Sequence, residues 1–272
     1  MIPIRQFVKR SLLTIIGFGI SLGLAAGTAE ADGYGQPSQW KKSYQPSLNK
    51  IVKVNCDKGQ SVQRVLLRFE NKLKPLMLVI SGVCDEEVEV ERDEVEFRGA
   101  DSGGRITGVV RIDEAREFTL SDNMQIGRLA IGFGQAEIEV EEGSVVIDNG
   151  ISLTGQSALS ISSEGPGSIT VNADIFLENQ SLLTTGFEEG SGGGVVVNGG
   201  ITMILQSSAN MDGTGVSNGI SMSQDSHTLF GIGVTVSGSI TCDRQSRVWG
   251  DVSGVSSVST DVDGISCWGD AP

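Results

Sequence analysis

From residue 76 onward, apolar and polar residues alternate in short runs. Val88 and Val90, Val95 and Phe97, and Ile138 and Val140 each flank a single glutamate. This period of two belongs to a strand with one buried and one solvated face. Leu76 to Ile80 is a nearly continuous apolar run. Immediately upstream the period changes. Val62, Val65, Leu66, Phe69 and Leu73 fall at i, i+3, i+4, i+7 and i+11, the stripe of an amphipathic helix. The pattern predicts a helix over about 61–73 with Ser61 as N-cap and Pro75 as terminator. Arg64 stands where a capping box would place Glu or Gln.

The alternating region repeats. The run from Ser144 to Ser157 has the same plan as those from Ser168 to Ser181, Gly194 to Ser207 and Gly233 to Ser246. Each has an apolar strand, a small or polar corner, a second strand of the form Ile-x-apolar, and a closing Gln-Ser. A degenerate fifth copy ends in Gly264, Ile265 and Cys267. The Gln positions 156, 180, 206 and 245 are 24, 26 and 39 residues apart, so the last interval reads as one period plus an insertion between Ala209 and Ile232. Repeats of this length without a helix point to the coils of a parallel β-helix. Stacking at about 4.8 Å per coil would align Ile151, Ile175, Ile201, Ile240 and Ile265 inside and the Gln-Ser pairs at one corner. An amphipathic helix at the start would cover the first core layer. The fold class expected is therefore all-β: a single-stranded right-handed parallel β-helix over 51–272 with an N-terminal capping helix.

Residues 1–50 do not belong to that pattern. Arg5, Lys9 and Arg10 precede an uncharged run from Leu12 to Leu24, and Ala29-Glu30-Ala31 places small residues where a signal peptidase reads them. The apolar run is shorter than the roughly 20 residues of a membrane span. Residues 1–31 are read as a Sec signal peptide and 32–50, rich in Gly, Pro, Ser and Gln, as a flexible lead-in. This implies export to the periplasm or the extracellular space, with no transmembrane segment in the mature chain. Cleavage would remove three basic residues and one acidic residue from a chain of net charge −14, leaving −16. So acidic a protein repels nucleic acid at long range.

Four cysteines in an exported chain point to disulfides, with three pairings open to them. Cys242 and Cys267 share a repeat position and should lie one coil apart. Cys56 and Cys84 follow the same logic once the capping helix is allowed for. The expected bonds are Cys56–Cys84 and Cys242–Cys267, one at each end of the stack.

The segment Val54-Asn55-Cys56-Asp57-Lys58-Gly59-Gln60-Ser61-Val62-Gln63 resembles the opening of bacterial right-handed β-helix proteins of the pectate-lyase-like superfamily, in which a short strand leads through Gly-x-Ser into a capping helix. Val79-Ile80-Ser81-Gly82-Val83-Cys84 looks like their first full coil, and Glu94-Val95-Glu96-Phe97-Arg98-Gly99 like the next strand and corner. The resemblance is architectural and spans most of 51–267. Its members include polysaccharide lyases, hydrolases and epimerases and many surface proteins; none of their catalytic motifs is matched here, and no site residue carries over.

The candidate chemistry is carboxylate. Glu87, Glu89 and Glu91 lie in one acidic stretch, and Glu137, Glu139 and Glu141 in another. Glu89 and Glu139 are 50 residues apart, about two coils, which would put both stretches on one face. Such oxygen-rich clusters are the ligands of Ca²⁺, with Glu89 and Glu139 as the candidate metal ligands. Glutamate alternating with valine is also what any half-solvated strand shows. His227, the single histidine, falls in the apparent insertion and reads as a loop residue without a nucleophile motif. Asp212, Asp225, Glu188 and Glu189 lie near irregular segments where a hydrolytic pair would sit. The expectation is a non-catalytic envelope protein that binds a polysaccharide or an envelope protein, or serves structurally. The alternative is a Ca²⁺-dependent lyase, hydrolase or epimerase acting on acidic glycans. Sparse aromatics, 5% of residues, favour the first.

Overall fold

The computed structural model describes residues 50–72, 75–115, 117–163, 165–187, 194–243, 245–250 and 252–258. All belong to the second of the two compact units into which the chain divides, which begins at Pro46. The expected signal peptide, the lead-in up to residue 49, and Ile265 and Cys267 lie outside the described residues.

The second unit is a parallel β-solenoid of about nine turns with one short helix near its start. Alternation in the sequence becomes three parallel sheets, because each turn contributes a strand to each. In the first sheet the inward column runs Leu78, Phe97, Leu120, Ile138, Ile161. In the second it runs Cys84, Ile106, Ile126, Ile147, Val171, Val197, Val216, Val236. In the third it runs Val88, Val110, Leu129, Ile151, Ile175, Ile201, Ile220, Ile240, Val258. All but Val258, which is half-buried at the end of its column, are buried. Branched aliphatic side chains suit such columns, since each packs on a like neighbour one strand spacing away.

The register corrects the repeat alignment. Ile201 pairs with Ile220 and Ile220 with Ile240, at spacings of 19 and 20 residues. The 39-residue interval is therefore two short turns, and nothing is inserted between Ala209 and Ile232. The extra turn was hidden because Asp225 stands where the other copies carry Gln. The corner selects for backbone conformation, and Asp225 adopts the same left-handed φ of 64° as Gln156 and Gln180, a region that Asp and Asn enter more readily than most residues. For the same reason His227 is no loop residue; it opens the strand His227–Phe230. Beyond Ile240 the next residue in the column is Val258, at the place the repeat alignment gave to Ile265.

The Gln-Ser corner forms the expected ladder. Gln156 Nε2 donates to Gln180 Oε1 at 2.9 Å and Gln180 Nε2 to Gln206 Oε1 at 3.0 Å. The buried Ser157 and Ser181 hydroxyls lie 3.4 Å apart beneath them.

Helix α1 spans Val62–Phe69, shorter than the expected 61–73. It buries Val62 and Leu66 over the first turn. Ser61 caps it as expected, its Oγ accepting from Arg64 N at 3.1 Å. The acid missing at position 64 is supplied from across the fold. Glu86 accepts from Val62 N at 2.7 Å, from Gln63 N at 3.3 Å and from the Ser61 hydroxyl at 2.6 Å. At the other end Arg92 donates from Nη1 to Phe69 O at 2.8 Å and from Nη2 to Lys72 O at 3.0 Å. Desolvation by burial lowers the pKa of that guanidinium, against Glu94 and Asp93, which raise it. An anion at the N-terminus and a cation at the C-terminus both complement the helix dipole, and both flank the strand Val88–Val90. The helix ends at Phe69, whose carbonyl Arg92 holds, six residues before Pro75. The Cys56–Cys84 bond forms as expected, with Cα atoms 5.1 Å apart. Cys242 lies in the described part, while the expected Cys242–Cys267 bond falls on a residue outside it.

Replacing Glu86 by Ala leaves three donors of the helix start without their charged acceptor. Denaturant unfolding should show a loss of roughly 2 kcal/mol, exceeding the loss of about 1 kcal/mol for Ser61→Ala.

Asp243 plays a comparable part near the C-terminal turns. Its carboxylate accepts from Gln224 N at 2.6 Å, Gln245 N at 3.2 Å, Ser246 N at 3.0 Å and the Ser246 hydroxyl at 2.8 Å. Burial pushes its pKa up, but these hydrogen bonds together outweigh it and hold the group below the usual aspartate value. A depressed folded-state value means the stabilisation is present above the unfolded pKa and is lost as pH falls through the folded one. Thermal melts across acid pH should therefore show Asp243→Asn less stable than the parent at neutral pH, with the gap closing below the ordinary aspartate range.

Candidate functional site

The two acidic stretches occupy different sheets. Glu89 points outward from the third sheet, in register with Arg111, and its N–H donates to Gln63 Oε1 at 2.7 Å. Glu87 and Glu91 flank that strand and are exposed. Glu137 and Glu139 point outward from the first sheet, in register with Thr119 and Ser121 on one side and Ser160 and Ser162 on the other. Glu141 follows at a corner, its N–H donating to Asp122 Oδ1 at 3.1 Å. The shared face expected for Glu89 and Glu139 is thus not formed. Counting residues gave whole coils, but one glutamate belongs to the last strand of its turn and the other to the first. A Ca²⁺ site built on that pair is not assembled.

The other sequence candidates are also dispersed. Asp212 Oδ1 accepts from Ile232 N at 2.9 Å. His227 Nε2 lies 3.9 Å from Asp225 Oδ1, and its ring tilts against Trp249 at 5.4 Å between centroids. Glu188 and Glu189 lie outside the described residues. Cys56, Cys84 and Glu86 form a tight group of metal-ligand types, but the sulfurs are bonded to each other and the carboxylate caps α1.

The second sheet offers a different site. Its outer face carries a groove of about 430 Å³ on the early turns, lined by Asp57, Arg105, Asn123, Gln125, Ser144 and Val146 among others. Val83, Arg105, Gln125 and Val146 stack in one outward column. Gly82, which also lines the groove, has a φ of 76°, and a side chain there would collide with the Asp57 carboxylate. The carboxylate in turn accepts from Val83 N at 3.2 Å, so the groove wall is closed by a contact only Gly permits.

One residue organises the side chains along the groove. Asp148 follows the strand Ser144–Ile147. Its carboxylate accepts from Arg105 Nη2 at 3.2 Å and from Gln125 Nε2 at 2.9 and 3.0 Å, with Asn172 Nδ2 at 3.5 Å. The amides continue along the corner: Asn198 Nδ2 donates to Asn172 Oδ1 at 2.9 Å, and Asn218 Nδ2 to the Asn198 carbonyl at 3.3 Å. Held by Asp148, the Arg105 and Gln125 side chains keep fixed positions while their remaining polar atoms stay available. The Arg105 side chain retains 46% of its exposure. A fixed guanidinium, amides and hydroxyls on a flat floor can orient a hydroxyl-rich ligand by paired hydrogen bonds.

Arg105, Gln125 and Asp148 were not singled out from the sequence. A signal existed in the repeat itself, since Asp148, Asn172 and Asn198 each follow the first apolar strand of their copies. Arg105 and Gln125 lie before the recognisable repeats and had no such marker.

Asp148→Ala releases Arg105 and Gln125 together. Unfolding should report a loss of roughly 1–2 kcal/mol, with Asp148→Asn recovering part of it.

Among the described residues no helix is long and apolar enough to cross a membrane. The chain matches no protein-family model, no curated protein and no solved structure.

Proposed function

We propose that this is an exported, non-catalytic β-helix protein of the bacterial cell envelope, akin in architecture to the pectate-lyase-like superfamily, that binds a glycan along its second sheet. The observation that carries this reading is the Arg105–Asp148–Gln125 constellation, which fixes donors beside the groove and runs on into the amides of Asn172 and Asn198. A ladder of like groups at rung spacing suits an extended, repetitive ligand laid across the turns. The net charge, −16 once residues 1–31 are removed, disfavours polyanions at long range, so the ligand class is a neutral glycan. Export is supported by the basic start, the apolar run and Ala29-Glu30-Ala31, and by the Cys56–Cys84 bond, which suits an oxidising compartment. The separation of Glu89 from Glu139 onto different sheets speaks against the Ca²⁺-dependent enzyme alternative.

The purified protein should be titrated with neutral and acidic oligosaccharides, with and without Ca²⁺ or a chelator. Binding to neutral chains is expected, unaffected by Ca²⁺. The double variant Arg105→Ala/Gln125→Ala should weaken it at least about tenfold, or 1.4 kcal/mol, while far-ultraviolet circular dichroism stays that of the parent. Shortened or unsaturated products would overturn the non-catalytic reading, and undiminished binding by the double variant would remove the site from this groove.

A further inference from the structure

All three Asn-Gly steps of the chain, Asn149-Gly150, Asn198-Gly199 and Asn218-Gly219, fall at the corner between the second and third sheets. Asn is chemically labile, most of all before Gly, because no side chain shields the backbone nitrogen that can attack its amide carbon. The fold itself enforces Gly at two of these steps. Gly150 has a φ of 83° and Gly219 of 88°, and a Cβ would overlap the Asp174 carbonyl at the first and the Ser239 carbonyl at the second. Stacked turns thus demand the residue that leaves the preceding Asn open to attack.

The three amides are not held alike. Asn198 Nδ2 is tied to Asn172 Oδ1 at 2.9 Å, and Asn218 Nδ2 to the Asn198 carbonyl at 3.3 Å. All three Asn are exposed and all three Gly buried, but neither the Asn149 side chain nor the Gly150 N–H has a hydrogen-bond partner among the described residues. At this step alone the side-chain amide and the attacking glycine nitrogen are both without a hydrogen bond to a described residue.

We infer that Asn149 is a site of spontaneous deamidation in the folded protein. The Gly150 nitrogen attacks Asn149 Cγ, and the new C–N bond closes a five-membered succinimide. The side-chain nitrogen departs as ammonia, taking up the proton released from the Gly150 amide. Water then opens the ring at either carbonyl, leaving aspartate or isoaspartate; water is the only co-reactant and nothing is oxidised or reduced. The new carboxylate stands next to Asp148 in the chain and adds negative charge beside the Arg105–Asp148 pair. Isoaspartate also lengthens the backbone between two rung bonds, Asn149 N to Gly127 O at 2.6 Å and Leu129 N to Gly150 O at 3.2 Å.

The purified protein should be incubated in mildly alkaline buffer, folded and in urea, and followed by ion exchange and isoaspartate-sensitive peptide mapping. In the folded protein an acidic form should accumulate, with Asn149 modified at least about tenfold faster than Asn198 or Asn218, a difference of 1.4 kcal/mol in barrier. In urea the three sites should react at similar rates. Asn149→Ser should abolish the early acidic form. Equal modification of the three sites in the folded protein would overturn the inference. So would an intact Asn149 in folded protein under conditions where the unfolded chain reacts.

Discussion

Each inner turn of the described solenoid is held by the hydrogen-bond ladder to the turns above and below it, and that parallel pairing dictates what each position can contain. A residue in an inward column meets its own equivalents at one strand spacing, so one apolar identity propagates down the column, as from Ile151 through Ile175, Ile201 and Ile220 to Ile240. The ladder fixes strand positions and leaves corner length free. Turns of 19, 20, 24 and 26 residues therefore stack on one another without disturbing the core.

The two special features of the early turns follow from the same constraint. A terminal turn has a neighbour on one side only and exposes a core layer. Helix α1 covers that layer, but eight residues are too few to hold a helix by propensity. Glu86 and Arg92, six residues apart in the chain, clamp its two ends from the turn beneath, and Cys56–Cys84 ties the short turn before it to the end of the strand after it.

Surface chemistry is also a product of stacking. Corners bring like polar groups to hydrogen-bond distance, which gives the Gln156–Gln180–Gln206 ladder at one corner and the Asp148–Asn172–Asn198 series at another. Both stabilise the stack. Where the second series meets Arg105 and Gln125 it also arranges fixed donors beside a groove, and where it meets Gly150 it leaves one exposed, unrestrained amide.

By itself the sequence determined the features that depend on local period and local chemistry. These are the strand alternation, the helix stripe with Ser61 as its cap, the repeat, the Gln-Ser corner, and Cys56 with Cys84 as a pair. The alternation and the stripe are legible because backbone geometry alone, 3.6 residues per helical turn and two per strand, sets them; the repeat, its corner and the cysteine pair are legible because equivalent positions recur at about one turn length. Only the tertiary structure decided which residues share a face. Unequal turns mean that distance along the chain does not count rungs, so Glu89 and Glu139 parted company, an extra turn stood behind Asp225, and Glu86, Arg92 and Asp148 found partners about 20 or more residues away. Corners absorb length without leaving a periodic trace, and register, on which the candidate site rests, is set by the whole stack of ladders together.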